Sequence, residues 1–155
     1  MRATRSVLIK VQSKDAMIEV NLEEPVRAFL THAGCIVHRQ SALGTGIPDL
    51  LGYHRLLDSF IAVELKLVRL QQAVRQAKGY LWHAHYAFVA MPMEIAKRIA
   101  CDTERWSVLT ENGIGLLGVD SSHVDILIAG TYHNAERYMD LYPRFQREIN
   151  RARKP

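Results

Sequence analysis

The stretch IPDLLGYHRLLDSFIAVELKLV, residues 47–68, contains two apolar segments on either side of a polar turn. Its first segment, residues 47–53, predicts a short strand, and its second segment predicts a strand over residues 60–68. Side chains of a strand alternate between its two faces, so Glu64 and Lys66 share one face of the second strand. The short connection between the two segments predicts that the strands pair antiparallel.

Further elements flank this pair of strands. In chain order, the patterns predict a helix over residues 22–33 that Gly34 ends, a strand over residues 35–39, a loop over residues 40–46, a helix over residues 70–84, a strand over residues 86–91, a helix over residues 93–100, strands over residues 115–119 and 124–129, and a helix over residues 132–155 that is broken near Pro143. Residues 5–20 fit either a short strand pair or a strand that enters a helix, and this choice stays open.

The order of these elements is helix, three strands, helix, strand, helix. Early strands joined by short turns indicate an antiparallel meander, whereas the later strand–helix–strand step indicates a right-handed crossover between parallel strands. The sequence therefore predicts an α/β fold with a mixed central sheet flanked by helices. The 155 residues suit one domain, with a core over residues 22–119 and a C-terminal strand and helical extension over residues 120–155.

Composition and charge narrow the classes of function. The chain is 48% hydrophobic and 23% charged, as in ordinary globular proteins, and its net charge of +4 with a pI of about 9.2 suits a polyanionic partner such as DNA. The two cysteines form no CxxC pair, which excludes a zinc ribbon. No secretory signal or membrane-spanning run is visible, so the expected location is the cytoplasm, with no membrane partner.

Three charged residues within residues 47–68 suggest a metal site. Glu64 and Lys66 interrupt an otherwise apolar strand, and burying such groups is costly unless each has a partner. Asp49 lies in the preceding strand, so pairing of the two strands brings its carboxylate toward that of Glu64. A hard divalent cation relieves the repulsion between two carboxylates, and the backbone carbonyl of Leu65 offers a third oxygen.

This arrangement points to hydrolysis of a phosphodiester bond. A bound Mg²⁺ lowers the pKa of its water and polarises a phosphate, while Lys66 holds the attacking water or the phosphate and stabilises the developing negative charge. A lone ExK on a strand is common, and most instances belong to solvated faces or salt bridges. The preceding Pro48–Asp49 pair, in the neighbouring strand, is what favours the catalytic interpretation over that alternative.

The run IPD at residues 47–49, followed about fifteen residues later by AVELK at residues 62–66, resembles the PD-(D/E)xK nuclease superfamily. The segment HRQSALGTGIPDLLG resembles the corresponding segment of archaeal Holliday junction resolvases, and the later segments LQQAVRQAKGYLWHAHYAFVAMP and ENGIGLLGVD resemble the helix and strands that follow ExK in such families. This resemblance covers roughly residues 22–119. It implies a restriction-endonuclease-like αβββαβ core and Mg²⁺-dependent endonuclease activity on DNA, in which Mn²⁺ can substitute and the products carry a 5′-phosphate.

The resemblance also implies further site residues. The helix acid of these families corresponds to Glu23 or Glu24, and Glu23 is favoured as a metal ligand because it shares a helix face with apolar residues. Gln76 corresponds to a glutamine that faces the site, where it would hydrogen-bond the attacking water or a phosphate. Arg39 and Ser41 correspond to residues that precede the metal-binding aspartate, and together with Lys66 they are expected to bind the DNA backbone. The alternative for Ser41 is a turn-capping role.

Two alternatives to a self-sufficient nuclease remain open at the level of sequence. One is a non-catalytic DNA-binding module that keeps a nuclease-like fold, since the same basic surface serves binding alone. The other is a nuclease subunit of a larger DNA-processing complex. A homodimer is also expected as an option, because cutting both strands of a duplex needs two sites.

Overall fold

The computed structural model describes residues 21–40, 46–121 and 123–152, and the undecided segment 5–20 and Ser41 lie outside them. In chain order the elements are α1 (residues 21–32), β1 (Cys35–Arg39), β2 (Leu50–His54), β3 (Ser59–Leu65), α2 (Leu70–Tyr80), β4 (Tyr86–Pro92), α3 (Met93–Cys101), α4 (Thr103–Glu111), β5 (Gly115–Val119), β6 (Val124–Ile128), a 3₁₀ turn (Tyr138–Leu141) and α5 (Tyr142–Ala152). Within this part of the chain, no helix is long and apolar enough to span a membrane.

The six strands of the described residues form one mixed sheet in the order β1-β2-β3-β4-β5-β6. Strands β1, β2 and β3 form an antiparallel meander, β3, β4 and β5 run parallel, and β6 returns antiparallel to β5. Helix α2 is the crossover between β3 and β4, as the sequence predicts. The α/β fold with a mixed sheet flanked by helices is therefore confirmed.

Helices cover both faces of the sheet, because its central strands are apolar on both sides. On one face, α1 packs Leu22, Val26 and Leu30 against Leu50 of β2 and Val63 of β3. Each such fully buried aliphatic side chain contributes roughly 1.5–3 kcal/mol of transfer free energy. Gly34, with φ of +104°, lies between α1 and β1, and this left-handed backbone conformation explains why the helix ends there.

The opposite face carries two further clusters. Helices α2, α3 and α4 pack against β4 and β5, where Val89, Met91 and Leu116 are fully buried. Helix α5 packs Phe145 and Ile149 against β2 and β3. Because α2 contributes to both clusters, it lies in the middle of this face, directly over the strand that carries Glu64.

The ends of two strands differ from the prediction. Strand β2 begins at Leu50 rather than at residue 47, because Pro48 has no amide hydrogen to give to a sheet and the Asp49 side chain binds the backbone of β3 instead. Strand β3 ends at Leu65 rather than at residue 68. Lys66 still donates its backbone N–H to the carbonyl oxygen of Ala90, so it stays attached to β4 although it lies beyond the strand.

Two helix predictions are wrong in extent, and one helix is missing from the prediction. Helix α2 ends at Tyr80 rather than at residue 84, since the chain turns tightly there and the N–H groups of His83 and Ala84 both donate to the Tyr80 carbonyl. Helix α4 was not predicted, because only Leu109 of that helix is buried. The last helix begins at Tyr142, so Pro143 lies in its first turn, where a proline is tolerated, rather than at a break.

Candidate functional site

Asp49 is fixed against the end of β3 by its own side chain. Its Oδ2 accepts a hydrogen bond of 2.7 Å from the backbone N–H of Leu65, and its backbone carbonyl accepts one from Gln40. The register of β2 and β3 pairs Leu50 with Val63, so Asp49 lies opposite the residues that follow Val63. The fold thus brings Asp49 to the Glu64–Leu65 segment, as the sequence predicts.

Glu64 is a buried carboxylate, with 4% of its surface exposed. It lies opposite Val89 of β4 in the parallel register, and so faces the layer formed by α2 and α5. The Tyr80 hydroxyl donates a hydrogen bond of 2.7 Å to its Oε2. The same hydroxyl lies 3.1 Å from the backbone carbonyl oxygen of Ile47. Tyr80 therefore links the helix α2, the carboxylate of Glu64 and the segment that leads to Asp49.

Lys66 lies on the same side as Glu64. Its Nζ is 4.0 Å from Oε1 of Glu64, and its side chain is 23% exposed, against 6% for the Glu64 side chain. The ammonium group therefore lies between the buried carboxylate and solvent. A group in this position can contact both the carboxylate and an anion that approaches from outside.

The Tyr80 hydroxyl lies in a buried and negatively charged environment. Burial, the hydrogen bond to Glu64 and the negative charges of Glu64 and then Asp49 raise the pKa of the Tyr80 hydroxyl far above its ordinary value. The hydroxyl thus stays protonated and remains a donor at every physiological pH. Glu64 accepts the hydrogen bond from this hydroxyl, and Asp49 accepts one from the N–H of Leu65, so both acids contact the Glu64–Leu65 segment or the helix that covers it.

Gln76 lies one helical turn before Tyr80, on the same face of α2. Its Oε1 is buried and has no hydrogen-bond partner among the residues that the structure describes. A buried amide oxygen without a partner carries a free-energy cost of about 1–3 kcal/mol, so such groups call for a ligand or a water. The sequence predicts that Gln76 faces the site, and an unsatisfied acceptor on this face of α2 is consistent with that prediction.

The acids of α1 make different contacts. Glu23 Oε1 lies 2.9 Å from Nε of Arg39, and Glu24 Oε1 lies 2.6 Å from the Arg39 guanidinium. The Glu23 side chain is 28% exposed and that of Glu24 is 69% exposed, which agrees with the expectation that Glu23 leans toward the sheet. Both acids are ion-paired with the arginine expected to bind DNA, and a role of Glu23 as metal ligand stays a prediction.

The donor set at Asp49 and Glu64 is small. Among the residues that the structure describes, no group of three or more His, Cys, Asp and Glu side chains is placed to hold a metal ion. Two carboxylates and a backbone carbonyl are nonetheless the kind of set that Mg²⁺ uses, since this ion keeps several waters and takes few protein ligands. Zinc sites usually include His or Cys ligands, so this set of oxygens suits zinc less well than Mg²⁺.

Tyr80 is the part of the site that the sequence reasoning missed. The sequence predicted Tyr80 within a longer helix but assigned it no role. One signal was available: Tyr80 follows Gln76 by four residues, and helical residues four apart lie on the same face. A polar group at the end of the apolar face of a helix can contact the strand on which that face packs. Here the Tyr80 hydroxyl contacts Glu64 of β3.

Comparison with known proteins bears on the fold alone. A solved structure, the SPO1766 protein of unknown function from Silicibacter pomeroyi, matches 84% of this chain and 85% of its own, with a TM-score of 0.62 and 21% sequence identity. The two chains share a fold. No protein-family model and no curated protein matches this sequence.

Proposed function

We propose that the protein is a metal-dependent endonuclease of the PD-(D/E)xK type that hydrolyses DNA phosphodiester bonds. The observation that carries the proposal is the meeting of Asp49, Glu64 and Lys66 at one end of β3, with Glu64 buried and the Lys66 ammonium 4.0 Å from it. A carboxylate this buried, next to a second one, is costly to keep for structure alone. That cost favours a functional role for the pair.

The topology supports the same proposal. The elements α1, β1, β2, β3, α2 and β4 follow the αβββαβ order that the resemblance implies, with an antiparallel meander followed by a parallel crossover. Asp49 directly precedes the second strand of that core, and Glu64 lies in the third strand. The net charge of +4 is compatible with a polyanionic substrate.

The residues present fit Mg²⁺, with Mn²⁺ as a substitute. Asp49, Glu64 and the carbonyl of Leu65 would hold the ion, and the unsatisfied Oε1 of Gln76 lies on the helix face that covers Glu64. Such an ion supplies a water of lowered pKa and neutralises negative charge on the phosphate. All the proposed donors are oxygens, which is the preference of this ion.

The remaining steps fall to the side chains of the chain itself. Lys66 binds a non-bridging phosphate oxygen, because its ammonium lies between the buried Glu64 and solvent, and it stabilises the negative charge that develops during attack. Tyr80 holds the Glu64 carboxylate in one orientation through its hydroxyl. Gln76 accepts a hydrogen bond from the attacking water and so orients it.

The decisive experiment is incubation with supercoiled, single-stranded and branched DNA, with and without Mg²⁺ or Mn²⁺. We expect cleavage only with metal, products that carry a 5′-phosphate, and loss of cleavage in Asp49→Ala and Lys66→Ala. Lys78→Ala, which removes an exposed lysine of α2, is the matched control and keeps full activity. Salt-sensitive DNA binding without any metal-dependent cleavage would instead identify a non-catalytic binding module, and cleavage only with an added partner would identify a subunit of a complex.

A further inference from the structure

Two cavities adjoin each other at the carboxyl ends of β3 and β4. Their volumes are about 440 Å³ and about 720 Å³, and Val68 and Ile95 line both of them. The segment 67–69, which directly follows Lys66, contributes to the walls of the two cavities. The segments that follow the parallel strands β3 and β4 line both cavities. Their place in the fold and the adjacency of the segment 67–69 to Lys66 in the chain suggest a binding site.

The larger cavity is basic. Arg69, Arg98 and Arg105 line it, against one glutamate, Glu104, and the three arginines come from three different segments of the chain. All three are exposed, and the ion pair between Arg105 and Asp102 is long, with 3.9 Å between the charged atoms. Guanidinium groups that converge from separate elements are a typical means of binding phosphate. The first turn of α2, which has no side-chain cap, forms another part of the same wall.

The smaller cavity is mainly apolar. Its lining consists of aliphatic, proline and methionine side chains with two acids, the principal members being Leu67, Pro92, Met93, Val119, Glu94 and Asp120. Apolar walls favour a planar aromatic group. Carboxylates at such a site accept hydrogen bonds from exocyclic amino groups of bases, as in the pairing of acidic side chains with cytosine. The acids also disfavour a phosphate here, so the two cavities select different parts of one ligand.

We propose that the two cavities together bind one nucleotide of a DNA strand, with a backbone phosphate in the arginine-lined cavity and the base in the apolar cavity. This inference rests on the proposed function, because it places a second phosphate of the strand that Lys66 contacts. Arg69 follows Lys66 by three residues, so their Cα atoms are at most about 11 Å apart. Two long cationic side chains at that spacing reach neighbouring phosphates of one strand.

A site of this kind makes the protein selective for unpaired DNA. A base enters the apolar cavity only when it is unpaired, and unpairing a base in a duplex costs a few kcal/mol. Single-stranded or branched DNA therefore binds more tightly than an intact duplex. Cytosine is preferred to thymine, because the Glu94 carboxylate accepts a hydrogen bond from the exocyclic amino group of cytosine, whereas thymine has an acceptor oxygen at the same position.

The test is fluorescence anisotropy with a labelled single-stranded oligonucleotide in EDTA, so that binding is measured without cleavage. Arg98→Ala is expected to weaken binding about five- to tenfold and to lower the dependence of log Kd on log salt by about 0.7. Lys97→Ala, which removes the adjacent exposed charge of α3 outside the cavity, is the matched control and stays within about twofold of the wild type. Equal effects of the two substitutions would overturn the phosphate assignment.

Three comparisons complete the experiment. Affinity for oligo(dC) is expected to exceed that for oligo(dT), and single strands to exceed duplexes; equal affinities would overturn the base assignment. If inorganic phosphate competes as strongly as unlabelled oligonucleotide, the arginine-lined cavity binds a free anion, and its assignment to a DNA phosphate is overturned. If Arg98→Ala weakens binding but the wild type cleaves no DNA with metal, the nucleotide site stands and the nuclease proposal fails. If the wild type cleaves DNA but Arg98→Ala binds it with unchanged affinity, the nuclease proposal stands and the nucleotide site fails.

Discussion

Glu64→Gln separates a structural from a functional role for the buried acid. The substitution keeps the size of the side chain and leaves an amide oxygen that still accepts the hydrogen bond from Tyr80, while it removes the negative charge. The Lys66 ammonium, 23% exposed, retains contact with water when that charge is gone. The variant therefore changes the electrostatics of the site with little change in packing.

The expected stability change is small because two large terms oppose each other. At 4.0 Å the attraction between Glu64 and Lys66 amounts to about 4 kcal/mol at an effective dielectric constant of about 20, and the desolvation of the buried carboxylate offsets most of it. We expect a change in the free energy of unfolding of no more than about 1 kcal/mol. For 155 residues this corresponds to about 3 °C in Tm.

The assay combines thermal denaturation with DNA cleavage. Mg²⁺ at ten times its Kd should stabilise the wild type by about 1.4 kcal/mol, or about 4 °C, and should leave Glu64→Gln unchanged. Cleavage by the variant should fall by about 10²–10³-fold or more. Glu111→Gln, which neutralises an exposed acid of α4, controls for the loss of one negative charge.

Two results would refute this reasoning. If Glu64 served only as the partner of a structural ion pair, its loss would cost about 3–5 kcal/mol, a Tm decrease of about 9–15 °C, with no response of the wild type to Mg²⁺. Cleavage by Glu64→Gln within tenfold of the wild type would equally remove the residue from the catalytic centre.

Further predictions concern groups whose surroundings are set by the fold. Tyr80→Phe removes the donor to the buried Glu64 and should lower the free energy of unfolding by about 1–3 kcal/mol, measured by chemical denaturation; an unchanged value would contradict the hydrogen bond. Burial raises the pKa of the Cys35 thiol from 9.0 to about 11, so its contribution to stability is full below pH 9 and is lost as the pH rises through 11, and a thiol-specific reagent at neutral pH should label only the exposed Cys101 in the native protein. Hydrogen bonds from two tyrosine hydroxyls lower the pKa of Asp58, so its contribution is present above its ordinary pKa of 3.8 and is lost as the pH falls below it; Asp58→Asn should weaken the dependence of stability on pH in that acidic range, and an identical acid transition would contradict the assignment.

The sequence predicts the strands well where their partners are close in the chain. Alternation around Glu64 and the apolar run of β4 establish which residues are buried, and the short turns establish the antiparallel pairs. The start of β2 escaped prediction because it depends on a hydrogen bond from Leu65 to Asp49, sixteen residues apart, which competes with continuation of the strand. No local pattern contains that information.

For the helices and the site, too, the sequence predicts what depends on local patterns and misses what depends on contacts between distant residues. Helix α4 has one buried residue, Leu109, so the 3.6-residue period that marks the other helices is faint there. The acids of the candidate site were found by their residue types and spacing, whereas Tyr80 was not, since its contact with Glu64 exists only after α2 folds back over β3. Tyr80 and Glu64 meet because α2 packs on β3 as part of the crossover to β4. The length and direction of that crossover depend on tertiary packing, which no local pattern describes.

Each strand of the described sheet pairs with the strand next to it in the chain, from β1 through β6. No pairing among them therefore requires a distant segment to arrive first, and the longest connection closed at any step is the one between Pro92 and Gly115. The chain can add its strands one after another, in the order in which a ribosome releases them, and so the sheet should form rapidly for an α/β protein and with few trapped species.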